Sequence, residues 1–348
     1  MIENLTFSVD DLRKEVDAGY VSIRPHPEEK LFIFNYTAKA QYNQHWNEVT
    51  KNCRGLILDD DYKIVARPFG KIFNYSEVIP DKIIYDQAPI IHDKLDGSLT
   101  IAYPTSKGWQ VSTRGSFESE QAIWATKWLN DNHPNYDQSR NITCLFEVIY
   151  PDNRICVDYG ERAELVLIAA INNFNGADFP LQAVTWWNGS VVEQITGPTD
   201  IDEAYRHATS NEFEKREGVV CTWFKYNQPS YRLKIKHPEY IRLHKIIYSF
   251  SKGKVWEVLS NGEDYLSLIE DIPDEFYAII KGTIFDLQSE FQEVDEQVCK
   301  DFDRIKHLTE RKDFADAAKT MDYPSIMFRM LDGKDYDDII WKVIKPQG

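Results

Sequence analysis

Lys94 stands two residues before an Asp96-Gly97 pair, in the run Asp93-Lys94-Leu95-Asp96-Gly97-Ser98. Lysine is a nucleophile only when deprotonated, and burial or neighbouring cations bring that state within reach. An apolar run, Ala88-Pro89-Ile90-Ile91-His92, leads into it, which suits a lysine fixed at a strand end. Such a lysine is placed to attack an electrophile such as the α-phosphate of a nucleotide. Asp-Gly is also a strong turn signal, because glycine takes the positive φ that a tight turn demands. The same residues therefore describe an ordinary hairpin with a solvated lysine, and the four-residue pattern alone does not separate the two readings.

Other residues along the chain have the right types to join this lysine. Arg54 opens a strand-like run, Cys53-Arg54-Gly55-Leu56-Ile57-Leu58, and Lys71 opens Lys71-Ile72-Phe73-Asn74. If those strands share a sheet with Lys94, three cations converge on one cleft; taken singly, each reads as a surface charge. Glu147 interrupts the apolar run Cys144-Leu145-Phe146-Glu147-Val148-Ile149. A glutamate is rarely buried without a partner, so it faces either solvent on an edge strand or a polar ligand. Glu217-Gly218 begins another strand. Tyr231 to Lys236 then alternates apolar and basic residues, which puts Arg232, Lys234 and Lys236 on one strand face. That face suits a phosphate cleft, or is an exposed sheet face.

The elements that must carry these residues follow from periodicity. Asp10 to Val16 reads as a capped helix, Ser119 to Leu129 as an amphipathic one, and strands dominate the remainder up to Pro238. Beyond Pro238 helical spacing takes over. A stripe of Phe276, Ile280, Ile284, Leu287, Phe291, Val294, Val298, Phe302 and Ile305 predicts one long packed helix with shorter ones around it. The expectation is an α+β fold: residues 1–237 with mainly antiparallel sheets, then an all-helical domain over 238–348.

The 348 residues suffice for two domains, and 43% hydrophobic with 13% aromatic residues is the composition of a packed globular protein. Five scattered cysteines without a Cys-x-x-Cys pair argue against a zinc site or disulfide framework and for a reducing compartment. The N-terminus lacks signal-peptide character and the longest apolar run is too short to span a membrane, so the expected location is the cytoplasm, or a host-cell cytoplasm if the source is viral. A net charge of −16 disfavours a broad non-specific nucleic-acid binder, but it is compatible with a basic cleft in an acidic shell.

Lys-x-Asp-Gly, Phe-Glu-Val-Ile-Tyr-Pro, Glu-Gly-Val-Val and Leu-Lys-Ile-Lys occur here in order, at residues 94–97, 146–151, 217–220 and 233–236. This series resembles the covalent nucleotidyltransferases, the superfamily of polynucleotide ligases and mRNA capping enzymes. With Cys53-Arg54-Gly55, Lys71-Ile72-Phe73-Asn74, Arg114-Gly115-Ser116 and the helical second part, it is most similar to the ATP-dependent RNA ligases of T-even phages, whose members repair tRNA. DNA ligases and capping enzymes, the runners-up, follow the last motif with an oligonucleotide-binding barrel that this sequence lacks the strands to build. A catalytically inactive nucleotide-binding interaction protein is the alternative from a different class.

The resemblance implies roles. Lys94 is the nucleophile that becomes lysyl-AMP. Lys234 and Lys236 neutralise the α-phosphate, Glu147 accepts from a ribose hydroxyl, and Glu217 orients hydrated magnesium, with manganese as a substitute. Arg54 and Lys71 grip the triphosphate and Tyr36 matches a tyrosine of the ATP site. Arg114 stands where the phage pattern has lysine, and the two are not interchangeable at every phosphate site. Asp264 is the nearest equivalent of an aspartate for a second metal ion. The implied partner is RNA with 5′-phosphate and 3′-hydroxyl ends, such as cleaved tRNA, bound by a monomer that does not engage a membrane.

Overall fold

A computed structural model describes residues 2, 4–77, 88–247, 251–266 and 277–346, the side chains of 245–247 and 277–279 excepted. The chain forms two compact units, residues 1–247 and 248–348.

The first unit contains three sheets. In the first, β1 (Val21–Pro25), β2 (Leu31–Tyr36), β3 (Arg54–Asp59) and β4 (Ile64–Ala66) follow one another as an antiparallel meander. Alternation gives this sheet two apolar faces. Phe34, Leu56 and Leu58 pack with Leu5 and with Leu12 of α1 (Val9–Asp17), whereas Ile33 and Ile57 pack with Ile101, Tyr103 and Leu145 of another sheet. Helix α1 starts where the sequence predicts, because Ser8 and Asp11 form a capping box. Between β2 and β3 run two five-residue helices, α2 (Ala38–Tyr42) and α3 (Glu48–Asn52), that the sequence pattern does not announce.

The second sheet contains β5 (Phe73–Asn74), β6 (Ile90–Lys94), β11 (Gln194–Ile195), β12 (Gly218–Lys225) and β13 (Gln228–Lys236), in the order β11-β6-β12-β13-β5. Its pairings are antiparallel except β13 with β5. The third contains β7 (Ser98–Thr105), β8 (Gly108–Thr113), β9 (Ile142–Ile149) and β10 (Glu164–Asn172), in the order β10-β9-β7-β8. Helix α4 (Glu120–Asn132), capped by Ser119, covers the face of this sheet turned away from the first. Helix α5 (Ile201–Ala208) covers the apolar face of the second sheet, over Val219, Cys221, Leu233 and Ile235. The α+β reading with mainly antiparallel sheets therefore stands.

Two expectations change here. The residues after Lys94 do not make a hairpin: β6 and β7 belong to different sheets, so Leu95 to Gly97 carry the chain from one sheet to the next. Gly97 is not among the positive-φ residues. It is glycine for another reason, since a Cβ there would lie 2.4 Å from the Val148 carbonyl oxygen and 3.1 Å from Glu147 Cγ. The expected boundary at Pro238 also moves. Helix α6 (Pro238–Ile247) groups with the first unit, to which the Tyr240 hydroxyl binds it by donating to Asp96 Oδ1 over 2.7 Å.

The second unit, taken by itself, is helical throughout its described residues: α7 (Lys252–Ser260), α8 (Tyr277–Ile305), α9 (Arg311–Ala318), α10 (Pro324–Leu331) and α11 (Asp337–Val343). The predicted stripe is real over its C-terminal half, where Val294, Val298 and Ile305 join Phe314, Ile326, Met327 and Ile340 in one core. Its first member, Phe276, lies outside the described residues. No helix among the described residues is long and apolar enough to cross a membrane.

Candidate active site

Three neighbouring strands of the second sheet bring the chemistry together. Gly218 on β12 is opposite Lys94 on β6 and opposite Lys236 on β13, so the two lysines flank one glycine. The preceding residue, Glu217, extends its carboxylate between them. Its Oε1 lies 2.7 Å from Lys94 Nζ and 3.1 Å from Lys236 Nζ. The Glu217 side chain is 4% exposed, that of Lys236 7%, and that of Lys94 23%, so only the Lys94 end of the triad opens to solvent. Burial would raise the Glu217 carboxyl, but the Lys94 and Lys236 ammonium groups outweigh it and hold the group below its ordinary value.

Gly218 is what permits this spacing. Its φ is +151°, and a Cβ would lie 2.0 Å from the Ile235 carbonyl oxygen and 2.7 Å from Lys236 Cα. Any side chain would push β13 away and carry Lys236 off Glu217.

Glu147 approaches from the third sheet. Its strand, β9, runs between β10 and β7, with Leu99 and Val166 as cross-strand neighbours, so the edge-strand reading is excluded. Burial pushes its carboxyl up to about 8; the Lys94 and Arg54 charges pull it down, and Glu217 and Asp96 push it further up. Four charged groups, carried by residues from the other two sheets, the position before β12 and the segment after Lys94, therefore act on Glu147.

Asp96 fixes the segment that follows Lys94. It is 3% exposed, and its Oδ2 accepts from the Cys156 and Val157 amides at 2.8 and 2.7 Å while Oδ1 accepts from Tyr240. Its own amide donates to the Tyr159 hydroxyl over 2.8 Å. The Lys236 ammonium lies 5.2 Å from the Tyr240 ring centre, within cation–π range. Asp96 thus ties the segment after the nucleophile candidate to the helix after Lys236.

A second cluster of cations is set in aromatic rings. Lys71 Nζ lies 5.7, 5.0 and 5.5 Å from the ring centres of Tyr36, Trp46 and Phe73. Trp46 meets Tyr36 and Phe73 edge-on, at 5.1 and 5.8 Å between ring centres. Arg114 donates to the Tyr36 hydroxyl over 3.0 Å and lies 5.0 Å from the centre of its ring. Arg54 and Arg232 share the ring of Phe69, at 5.1 and 4.8 Å.

A family whose members are described as RNA ligase matches residues 52–240, more than half of the chain, from Arg54 through Lys94, Glu147 and Glu217 to Lys236. The chain belongs to the RNA ligase family. It is 25% identical over 420 aligned positions to the RNA ligase of Rhodothermus phage RM378, covering 96% of this chain and 91% of that one. A putative bifunctional polynucleotide kinase/RNA ligase of Autographa californica nuclear polyhedrosis virus is 27% identical over 281 positions. That match covers 72% of this chain and 39% of the viral protein, so the chain spans well under half of that relative. Among solved structures, a putative ATP-dependent DNA ligase from Aquifex aeolicus superposes with a TM-score of 0.49 at 12% identity, covering 94% of this chain and 100% of that one.

Within this RNA ligase fold, the expected site residues fall into place unequally. Lys94, Glu217 and Lys236 are in direct contact, Glu147 and Arg54 act on them, and Lys71, Tyr36 and Arg114 share one aromatic cluster. Lys234 lies on the Lys236 face of β13, opposite Val220 of β12 and Asn74 of β5. Arg54 and Lys94 do not share a sheet, as the simplest reading required; their charges act on Glu147 from separate sheets. Asp264 belongs to the second unit, exposed, with its Oδ1 accepting from the Leu266 amide. Trp46 and Tyr240 escape a sequence reading, since a lone loop tryptophan and a helix-start tyrosine carry no pattern of their own.

Proposed function

We propose that this RNA ligase uses ATP to join RNA ends through a covalent lysyl-AMP. The observation that carries the reading is the sharing of one buried Glu217 oxygen by Lys94 and Lys236. Lys94 Nζ attacks the α-phosphorus, a P–N bond forms, and the bond to pyrophosphate breaks. Attack requires Lys94 to give up a proton and its contact with Glu217; Lys236 then remains as that carboxylate's partner. An RNA 5′-phosphate oxygen next takes the AMP from Lys94, and a 3′-hydroxyl attacks that 5′-phosphate and expels AMP. Lys234 and Lys236 offset charge on the α-phosphate. Glu147 engages the ribose, and Arg54, Lys71 and Arg114, with Tyr36 beside them, serve the triphosphate end.

Magnesium, or manganese in its stead, fits this donor set in one way. Among the described residues no three His, Cys, Asp or Glu side chains converge as a metal cage. A magnesium ion instead keeps several waters and takes one or two carboxylates plus substrate phosphates. Glu217 fits that need, and the ion when bound supplies further positive charge at the phosphates. The RNA partner proposed is one with 5′-phosphate and 3′-hydroxyl ends, cleaved tRNA among them.

The test is incubation with α-labelled ATP or GTP, followed by RNA or DNA ends. The expected result is an acid-stable phosphoramidate with AMP, absent in Lys94→Ala, and sealing of RNA. Labelling by GTP in preference, or sealing confined to DNA nicks, would replace this reading with a capping enzyme or a DNA ligase.

A further inference from the structure

Phe174 is 66% exposed, at the tip of the loop from Asn172 to Ala177. The loop closes on Asp178, which is bridged to Ile171 of β10 and ion-paired with Arg232 of β13. A single exposed apolar residue is ordinary, but this loop holds its phenylalanine in place. Asn172 Oδ1 accepts from the Phe174 amide at 2.8 Å, and Asn175 Oδ1 from the Ala177 amide at 2.9 Å. The Asn173 side chain turns inward, donating to the Arg140 carbonyl over 3.0 Å and accepting from Thr143 over 2.6 Å. Beneath the loop lies Arg67, 8% exposed, donating to the carbonyls of Asn4 and Asn173 at 2.8 and 3.3 Å. Gly176 makes room for it, since its φ is +71° and a Cβ there would lie 2.7 Å from Arg67 Nη2.

The charge of this corner departs from that of the chain. The whole protein carries −16, yet Ser139 to Thr143 and Asn172 to Ala177, the two segments joined here, contain no Asp or Glu. The next residue, Asp178, is balanced by Arg232. Arg140 is exposed beside the loop and Arg67 is buried under it; arginine stays charged in a protein, and salt screens a buried charge weakly. A fixed aromatic ring among amide side chains and two cations matches a nucleotide, with its base on the ring and its phosphate toward the arginine. An apolar protein surface would instead meet the polar Asn173, Asn175, Arg140 and Asn141 beside that ring. Thr143, which holds Asn173, is on the same strand as Glu147, about 13 Å away along β9. A strand with its end in the cleft can therefore reach the loop.

We propose that the Phe174 loop stacks an unpaired base of the RNA at a distance from the end being joined, with Arg140 and Arg67 attracting the neighbouring phosphate. This rests on the RNA-sealing reading above, and it adds where the strand is held away from the reacting atoms.

Two measurements test it on the full chain. Anisotropy of a labelled single-stranded RNA reads binding without ATP, and the KM for pre-adenylated RNA reads it during sealing. Phe174→Ala should weaken both about tenfold, the scale of one base–aromatic stack. Phe174→Leu, which keeps apolar area but no π face, should weaken them nearly as much. Phe174→Tyr should stay within about twofold of wild type, because every base can stack on either ring. Arg140→Gln should lower the slope of log Kd against log salt by about 0.7, the share of one single-strand phosphate contact. Lysyl-AMP formation, which involves no RNA, should be unchanged in all four variants. The loss in Phe174→Ala should also vanish with RNA too short to run from the cleft to the loop, a dependence that a merely structural role would not produce.

Thermal melting confirms that the variants are folded, and the Leu, Tyr and Arg140 variants decide the matter if Phe174→Ala is not. Binding and KM indifferent to Phe174 would overturn the proposal and leave the ring to a protein partner. A loss that Phe174→Tyr shares, or one independent of RNA length, would overturn it as well. Absence of lysyl-AMP in the wild-type protein would overturn the reading of Lys94 instead, and the binding measurement, made without ATP, would still judge the loop.

Discussion

Lys94 and Lys236 lie on different strands, yet both reach the same oxygen of Glu217, at 2.7 and 3.1 Å. Removing one partner of a buried ion pair costs about 3–5 kcal/mol, because it leaves an uncompensated charge. Here the Lys94 end opens to solvent, so Glu217→Ala should sit at the low end, about 3 kcal/mol, most of it from Lys236. Denaturant melts of the variant measure that loss. A variant as stable as wild type would show that the triad does not hold the sheet together. Glu217→Ala should also fail in both lysyl-AMP formation and sealing, since the carboxylate serves the phosphate and not the lysine alone.

Lys94→Ala separates the steps. It should form no lysyl-AMP, yet seal pre-adenylated RNA without added ATP, because AMP is then already in place as the leaving group. Gel assays with labelled ATP and with adenylated RNA check the two halves. Residual self-labelling in Lys94→Ala would assign the nucleophile to another residue.

Gly218→Ala tests the geometry that joins the lysines. A Cβ 2.0 Å from the Ile235 carbonyl oxygen, at a φ of +151°, must displace backbone and not a flexible side chain. The expected loss is more than about 2 kcal/mol of stability, with lysyl-AMP formation falling at least tenfold in whatever fraction folds. Activity and melting temperature within error of wild type would show that β12 and β13 can separate there at no cost.

How much of this was legible in the sequence depends on which physical signal each residue carried. Lys94, Glu217 and Lys236 were readable because each ends or begins a strand at a motif of fixed spacing. The alternation from Arg232 to Lys236 located the polar face correctly, since Leu233 and Ile235 do pack under α5. The Asp96-Gly97 pair misled, because local turn preference says nothing about which sheet the next strand joins. Its aspartate is a buried hub for Cys156, Val157 and Tyr240, contacts about 60 and 144 residues away that no local pattern encodes. The same holds for Trp46 beside Lys71 and for Asp178 beside Arg232. Tyr240 also explains why the unit boundary follows α6 and does not precede it.

Glu147 gives a pH signature with a definite sign. Its carboxyl titrates near 8 in the folded chain against an ordinary value of 4.5. Between those values the unfolded state has lost a proton that the folded state retains, so stability falls as pH rises from about 4.5 to about 8 and is level beyond. Glu147→Gln removes this dependence. Melting temperatures of wild type relative to the variant should therefore drop across that window. The Glu217 shift, being downward, acts below 4.5 and does not overlap it. Parallel curves for the two proteins would mean that Glu147 is ionised throughout.

The last prediction concerns where the chain can be cut. Residues 241–348 carry 15 Lys and Arg against 22 Asp and Glu, a balance of −7, which is unsuited to a broad phosphate-gripping surface. Apart from Asp264, every residue assigned to chemistry above lies before residue 238, but Tyr240, which holds Asp96, lies after it. A chain ending at residue 247 should therefore keep self-adenylylation, whereas one ending at 237 should lose most of it, because the segment after Lys94 loses its anchor. Circular dichroism and thermal melting establish first that each shortened chain is folded. A folded RNA can be recognised by shape with few contacts, and the proposal that the helical unit chooses the substrate is tested on the same shortened chain. The shortened chain 1–247 should then show a smaller preference for cleaved tRNA over an unstructured strand than the full chain does. Equal labelling by the two shortened chains would remove Tyr240 from the support of Lys94. A full-length protein with no preference between the two RNAs would leave the helical unit a stabilising or partner-binding role instead.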